Sequence, residues 1–221
     1  VGGVAFARKE EQDEKSLARR KVIDLLTIRR FPRKISILSM PGLKWVFEAQ
    51  LLARREPLWR ERNWLAKTRF TCVENDRFVY YSATMQLPGR SQSYLKYLDR
   101  PPYAECMIGQ RIIKRYIFAN VDDLIQDTNE CFDVAWLDYT GPLTVERMTI
   151  IERFWSDRVR GILVVTSLKA RWNSQTSRTI AKHGSCLEWI RSRLPGHVYH
   201  TLEYQDGHSP MVQFAVGKES S

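Results

Sequence analysis

Short apolar runs alternate along this chain with stretches whose apolar residues recur every three or four positions, a pattern that predicts strands interleaved with helices. Residues 34–38 (KISIL) form a β-branched run that ends in the turn Ser39-Met40-Pro41-Gly42, and Leu43, Val46, Phe47, Leu51 and Leu52 then recur at helical spacing. Residues 70–73 (FTCV) end at Glu74-Asn75 and lead into a helical stretch over 76–84. A strand over 114–119 runs into Asn120-Val121-Asp122-Asp123. Residues 132–137 are a short apolar run that stops at Asp138, turns through Tyr139, Thr140, Gly141 and Pro142, and gives way to a helix over 144–156. Residues 161–166 (GILVVT) are apolar almost throughout, as in a strand covered on both faces. A polar, basic loop over 167–177 precedes a helix with Ile180, Leu187, Ile190 and Leu194 facing inward, interrupted at Gly184 and stopped by Pro195-Gly196. Two last strands, over 198–204 and 211–216, flank Asp206-Gly207, a hairpin signal.

Strands alternating with helices imply a mostly parallel sheet, and the closing hairpin adds an antiparallel strand to it. The expected architecture is α/β, with seven strands and helices on both faces. Residues 1–33 read as an N-terminal helical extension: 8–30 are charged, with an imperfect apolar stripe of Leu17, Val22, Leu25, Leu26 and Ile28, packing at one end of the sheet. Residues 34–221 form the main domain, with insertions at about 54–69 and 88–111. The first insertion interleaves arginines with Trp59 and Trp64. The second is loop-like to residue 103 and carries Tyr94, Tyr97, Tyr103, Arg90, Lys96 and Arg100.

At 221 residues the chain is long enough to bury a core without disulfide or metal staples. No apolar run approaches the length of a membrane span, and residues 4–6 are too short for the apolar region of a signal peptide. The four cysteines, Cys72, Cys106, Cys131 and Cys186, are widely spaced and show no metal-ligand pattern, so no metal is expected. They read as reduced thiols of an intracellular protein, cytoplasmic or nuclear and not secreted. Lysine and arginine number 35 against 25 acids, a net charge of +10, which favours an anionic partner, nucleic acid first.

Polar or acidic residues stand where four strands end: Ser39, Met40, Pro41 and Gly42; Glu74 with Asn75; Asp122 and Asp123; and Asp138 with Tyr139. Open α/β sheets bind ligands outside the carboxyl ends of their strands, where the strand order reverses. The plainer reading of Asp138 or Thr144 is a cap on the following helix. Taken in order, these positions resemble the class I S-adenosylmethionine-dependent methyltransferases, over roughly residues 34–217. The resemblance implies a Rossmann-like methyltransferase fold and S-adenosylmethionine as cofactor. Ser39-Met40-Pro41-Gly42 resembles the turn that approaches the methionine part, with Gly42 alone where the family usually has several glycines. Glu74, with Asn75 beside it, matches the acid that accepts from the ribose hydroxyls, and Asp122 or Asp123 the residue that accepts from the adenine amino group. Asp138 and Tyr139 stand at the family's catalytic motif, which here reads Asp-Tyr-Thr-Gly-Pro without the paired prolines of amino-methylating nucleic-acid enzymes.

Methyl transfer mainly requires nucleophile, methyl and sulfur to be held in line. Asp138 would orient an exocyclic amine; a hydroxyl acceptor would need a base, for which Lys169 is the nearest candidate. Arg90, Lys96, Arg100, Lys169, Arg171 and Trp172 are expected to face the substrate, since basic and aromatic side chains suit phosphates and bases. The resulting expectation is a methyltransferase acting on DNA or RNA. The alternative is a non-catalytic protein of the same fold that binds nucleic acid or a protein partner.

Overall fold

The computed structural model describes residues 3–28, 35–40, 68–76, 103–108 and 111–218. Helix α1 (Gly3–Ile28) is followed by strands β1 (Ile35–Ser39), β2 (Thr68–Glu74), β3 (Tyr103–Ile108) and β4 (Arg111–Phe118). Next come α2 (Val121–Asp127), β5 (Phe132–Pro142), α3 (Val145–Asp157) and β6 (Val159–Leu168). Helices α4 (Ser174–His183) and α5 (Cys186–Arg193) precede β7 (His197–Asp206) and β8 (Ser209–Gly217).

All the described strands lie in one sheet of order β3-β4-β2-β1-β5-β6-β8-β7. β1 pairs in parallel with β2 and β5, β2 with β4, and β5 with β6. The chain builds outward from β1 through β2 to β4, then returns to the other side of β1 for β5 and β6. That reversal puts the crevice at the carboxyl ends of β1 and β5. The expected hairpin is present: β8 runs antiparallel to both β6 and β7, and Asp206 pairs with Ser209 across a two-residue turn in which Gly207 is left-handed. One strand is additional. Tyr103 opens β3, which pairs antiparallel with β4 at the far edge, so the second insertion ends in strand rather than loop.

The sheet buries both faces, which is why its central strands are apolar at consecutive positions. On one face Leu137, Tyr139, Met148, Ile151, Phe154, Trp155, Leu163 and Trp189 pack with α2, α3, α4 and α5. On the other, Val22, Ile23 and Leu26 of α1 pack on Ile35, Ile37, Phe70, Val134, Trp136, Ile162 and Val164. Helix α1 therefore covers a face of the sheet rather than one of its ends. Near its middle Ala18 joins a smaller cluster with Leu168, Tyr204 and Met211. Helix starts are fixed by short polar side chains accepting from backbone N–H groups two or three residues on: Asn120 for α2, Thr144 for α3, Asn173 for α4 and Ser185 for α5. Gly184, at φ 82°, separates α4 from α5 as its position in the helical pattern predicts. The helical stretch expected after Gly42 lies outside the described residues, as do the first insertion up to residue 67 and all but the first residue of the stretch expected over 76–84; Arg69 belongs to β2.

Candidate functional site at the carboxyl edge

Strand β5 does not stop at Asp138. It continues to Pro142, with a register shift against β6 between Asp138, which pairs with Thr166, and Pro142, which pairs with Leu168. Four residues of β5 thus span what two residues of β6 span. This bulge replaces the turn expected at 139–142, and Ser167 Oγ secures it by donating to the Gly141 carbonyl at 3.1 Å. Thr144, not Asp138, caps α3, its hydroxyl accepting from Arg147 N–H at 3.2 Å.

Side chains alternate along a strand, so Asp138 and Tyr139 point to opposite faces. Tyr139 is buried among the residues packed on α3. Its hydroxyl donates to Asp122 Oδ1 at 2.8 Å, and Arg147 Nε donates to Asp122 Oδ2 at 2.8 Å. The Arg147 guanidinium lies 4.5 Å from the Tyr139 ring centre and also bonds the Pro142 carbonyl at 3.0 Å. Burial, then the Asp122 carboxylate, holds the Tyr139 hydroxyl far above its ordinary pKa, so it stays a donor. Both oxygens of Asp122 are therefore occupied in joining β5, α2 and α3, while Asp123 beside it is exposed.

Asp138 faces α1. Burial raises its pKa, opposed by Lys15 and Arg19 of α1. It makes no hydrogen bond or ion pair among the described residues, and the residue as a whole is half-buried. Glu74, at the end of β2, accepts from the backbone N–H groups of Asn75 and Asp76 at 3.0 Å each, both through Oε1. Oε2 has no partner among the described residues. Burial is the largest influence on Glu74 and raises its pKa; the two backbone donors pull it down. Asn75 is exposed. Ser39 is buried at the end of β1, its hydroxyl 3.6 Å from the Cys72 sulfur, and Met40 packs against the α3-side core. Ser39 pairs with Cys72, and the preceding Leu38 with Ala135, so the ends of β1, β2 and β5 are adjacent.

Of the expected substrate residues, Lys169 is bound to Glu203 by an ion pair and donates its backbone N–H to Pro210 at 2.7 Å. Arg171 is exposed and is the one non-glycine at positive φ, 61°, among the described residues. Trp172 packs against the α3-side core with its indole N–H buried and without a partner among the described residues. Arg90, Lys96, Arg100, Pro41 and Gly42 lie outside the described residues. Sequence reasoning missed Arg147, whose only signal is its place three residues after the Thr144 cap, and missed Arg19 and Tyr204, which tertiary structure alone brings near Asp138. Among the described residues no group of His, Cys, Asp and Glu is placed to hold a metal ion, and no helix is long and apolar enough to cross a membrane.

The strand order and the closing antiparallel hairpin are those of a Rossmann-like methyltransferase fold, and solved structures agree. The fold matches magnesium protoporphyrin IX methyltransferase from Synechocystis PCC 6803 with bound S-adenosylhomocysteine, at TM-score 0.53 and 10% identity, over 99% of this chain and 89% of that one. It also matches an S-adenosylmethionine-dependent methyltransferase from Agrobacterium tumefaciens at TM-score 0.54 and 14% identity, over 93% of this chain and 62% of that one. A third such methyltransferase, from Leishmania major, matches at TM-score 0.51 and 9% identity, over 91% of this chain and 72% of that one. No family model and no curated protein matches the sequence.

Proposed function

We propose that this protein binds S-adenosylmethionine at the carboxyl ends of β1, β2 and β4 and transfers its methyl group to nucleic acid. The observation that carries the reading is the pair of unspent carboxylates at the carboxyl edge, Glu74 Oε2 on β2 and Asp138 on β5, either side of β1 on a sheet of methyltransferase order. Glu74 fits a ribose diol: Oε1 is fixed by two backbone donors, and Oε2 is left to accept from a hydroxyl. Each oxygen of Asp122 already accepts one bond, from Tyr139 or Arg147, whereas Asp123 beside it is exposed, so Asp123 is the more available acid for an adenine amino group. The cofactor supplies a methyl group already activated on a sulfonium. Asp138 accepts a hydrogen bond from the incoming amine, turns its lone pair toward the methyl, and takes up the proton that the amine releases. The raised pKa of Asp138 makes it a better proton acceptor than an exposed carboxylate.

The occupied Asp122 favours the second reading, a non-catalytic protein of the same fold that uses its net charge of +10 to bind nucleic acid or a partner. Titration calorimetry with S-adenosylmethionine separates the two. The methyltransferase reading expects binding, and it expects Glu74→Ala to weaken that binding by about 1–3 kcal/mol. No heat of binding with the intact chain would leave the second reading. Unchanged affinity in Glu74→Ala, at unchanged melting temperature, would remove Glu74 from the site.

A further inference from the structure

The α1 side of β5, β6, β8 and β7 carries a polar belt between two apolar clusters. Its buried part is a hydrogen-bond chain: Trp136 Nε1 and Gln213 Nε2 both donate to Thr166 Oγ1, at 3.0 and 3.3 Å, and Gln213 Oε1 meets His200 Nε2 at 3.0 Å. Its other part holds the charges. Lys15 is spent on an ion pair with Asp206, and Glu14 accepts from the Gln205 N–H at 2.6 Å; together they anchor α1 to β7. Asp138 and Arg19 remain, and neither has a hydrogen bond or ion pair among the described residues. Lys15, Ala18, Arg19 and Val22 share the docked helix face, at spacings of three and four, and Ala18 and Val22 are fully buried, so the Arg19 side chain starts at the sheet. Tyr204, 9% exposed, packs against Ala18, Leu168 and Met211 and leaves its hydroxyl without a partner among the described residues.

We propose that Arg19 and Tyr204 complete an acceptor site around Asp138, in which a phosphate of single-stranded nucleic acid is held by Arg19 while the amino group to be methylated meets Asp138. This rests on the methyltransferase reading and adds the ligand chemistry. A carboxylate lacking a donor and a guanidinium lacking an acceptor, on the same face of the sheet and close enough for Arg19 to act electrostatically on Asp138, fit a ligand that offers an N–H and an anion within one nucleotide. Arginine matches phosphate through its planar fork. Tyr204 closes the apolar side and offers a hydroxyl whose pKa burial, then the charges of Asp138 and Asp206, push up, so that it stays protonated.

The test compares Arg19→Gln with Arg20→Gln, since Arg20 is exposed on the same helix and its loss changes net charge equally. The probe is a fluorescent, mixed-sequence single-stranded RNA, read by anisotropy at low salt with the chain of residues 1–221. Arg19→Gln should weaken binding roughly tenfold and Arg19→Lys should recover only part of the loss. Arg20→Gln should cost less than about twofold, as a screened surface charge does. Equal losses in the two variants, no loss in Arg19→Gln, or no RNA binding by the unaltered protein would each overturn the proposal. Calorimetry with S-adenosylhomocysteine on the same proteins judges the methyltransferase reading by itself, because Arg19→Gln should leave that affinity unchanged.

Discussion

Tyr139, Asp122 and Arg147 form a polar cluster at the carboxyl edge, joining one strand to the starts of two helices. Tyr139→Phe keeps the ring and its packing but removes a hydrogen bond to a charged acid. It should lower stability by about 1–2 kcal/mol in urea unfolding. His200 gives a pH signature. Burial, the largest influence, lowers its pKa below 6.5, Lys21 lowers it further, and the Gln213 hydrogen bond resists. The folded protein then binds fewer protons than the unfolded chain in the window just under 6.5, so stability rises with pH there and is lost on acidification. Replacing His200 with glutamine should flatten that rise, measured as urea midpoints at about pH 5 and about pH 7.5.

Among elements, the glycine between α4 and α5 and the one near the start of β6 act for different reasons. A Cβ at Gly184 meets nothing within 4 Å, so its constraint is the left-handed φ of 82°. Gly184→Ala should cost about 1 kcal/mol, and Gly184→Asn less, in thermal or urea unfolding. At Gly161 a Cβ would stand 2.4 Å from the Asp133 carbonyl of the neighbouring strand, so the constraint there is the close approach of two backbones. The β5 bulge is the element that decides the site's geometry. It carries the strand past Asp138, which leaves that side chain on the α1 face while Tyr139 turns to the α3 face.

Across the whole molecule, a net charge of +10 predicts nucleic-acid binding that falls steeply with salt as counterions are released. Arg171→Ala should flatten the slope of log affinity against log salt by about one. Lys169→Ala should change it less, because Glu203 already neutralises that ammonium. A salt titration with labelled single- and double-stranded DNA and RNA measures both, and no binding to any of them would leave a small-molecule or protein substrate.

The sequence by itself determined the alternation of strands and helices, the hairpin at Asp206-Gly207 and the break at Gly184, because these depend on local periodicity and on single residues with special backbone preferences. It also placed Glu74 at the end of its strand, whereas it ended β5 at Asp138, four residues too early. Tertiary structure alone decided the rest. The register shift of β5 is set by pairing with β6, and no periodicity within 132–142 encodes it. Strand β3 exists because the edge of β4 offers it partners. Asp122 reads as a free acid until Arg147, 25 positions away, folds onto it. The approach of Arg19 and Tyr204 to Asp138 joins residues from both ends of the chain, and only the docking of α1 across β7 brings them into one place.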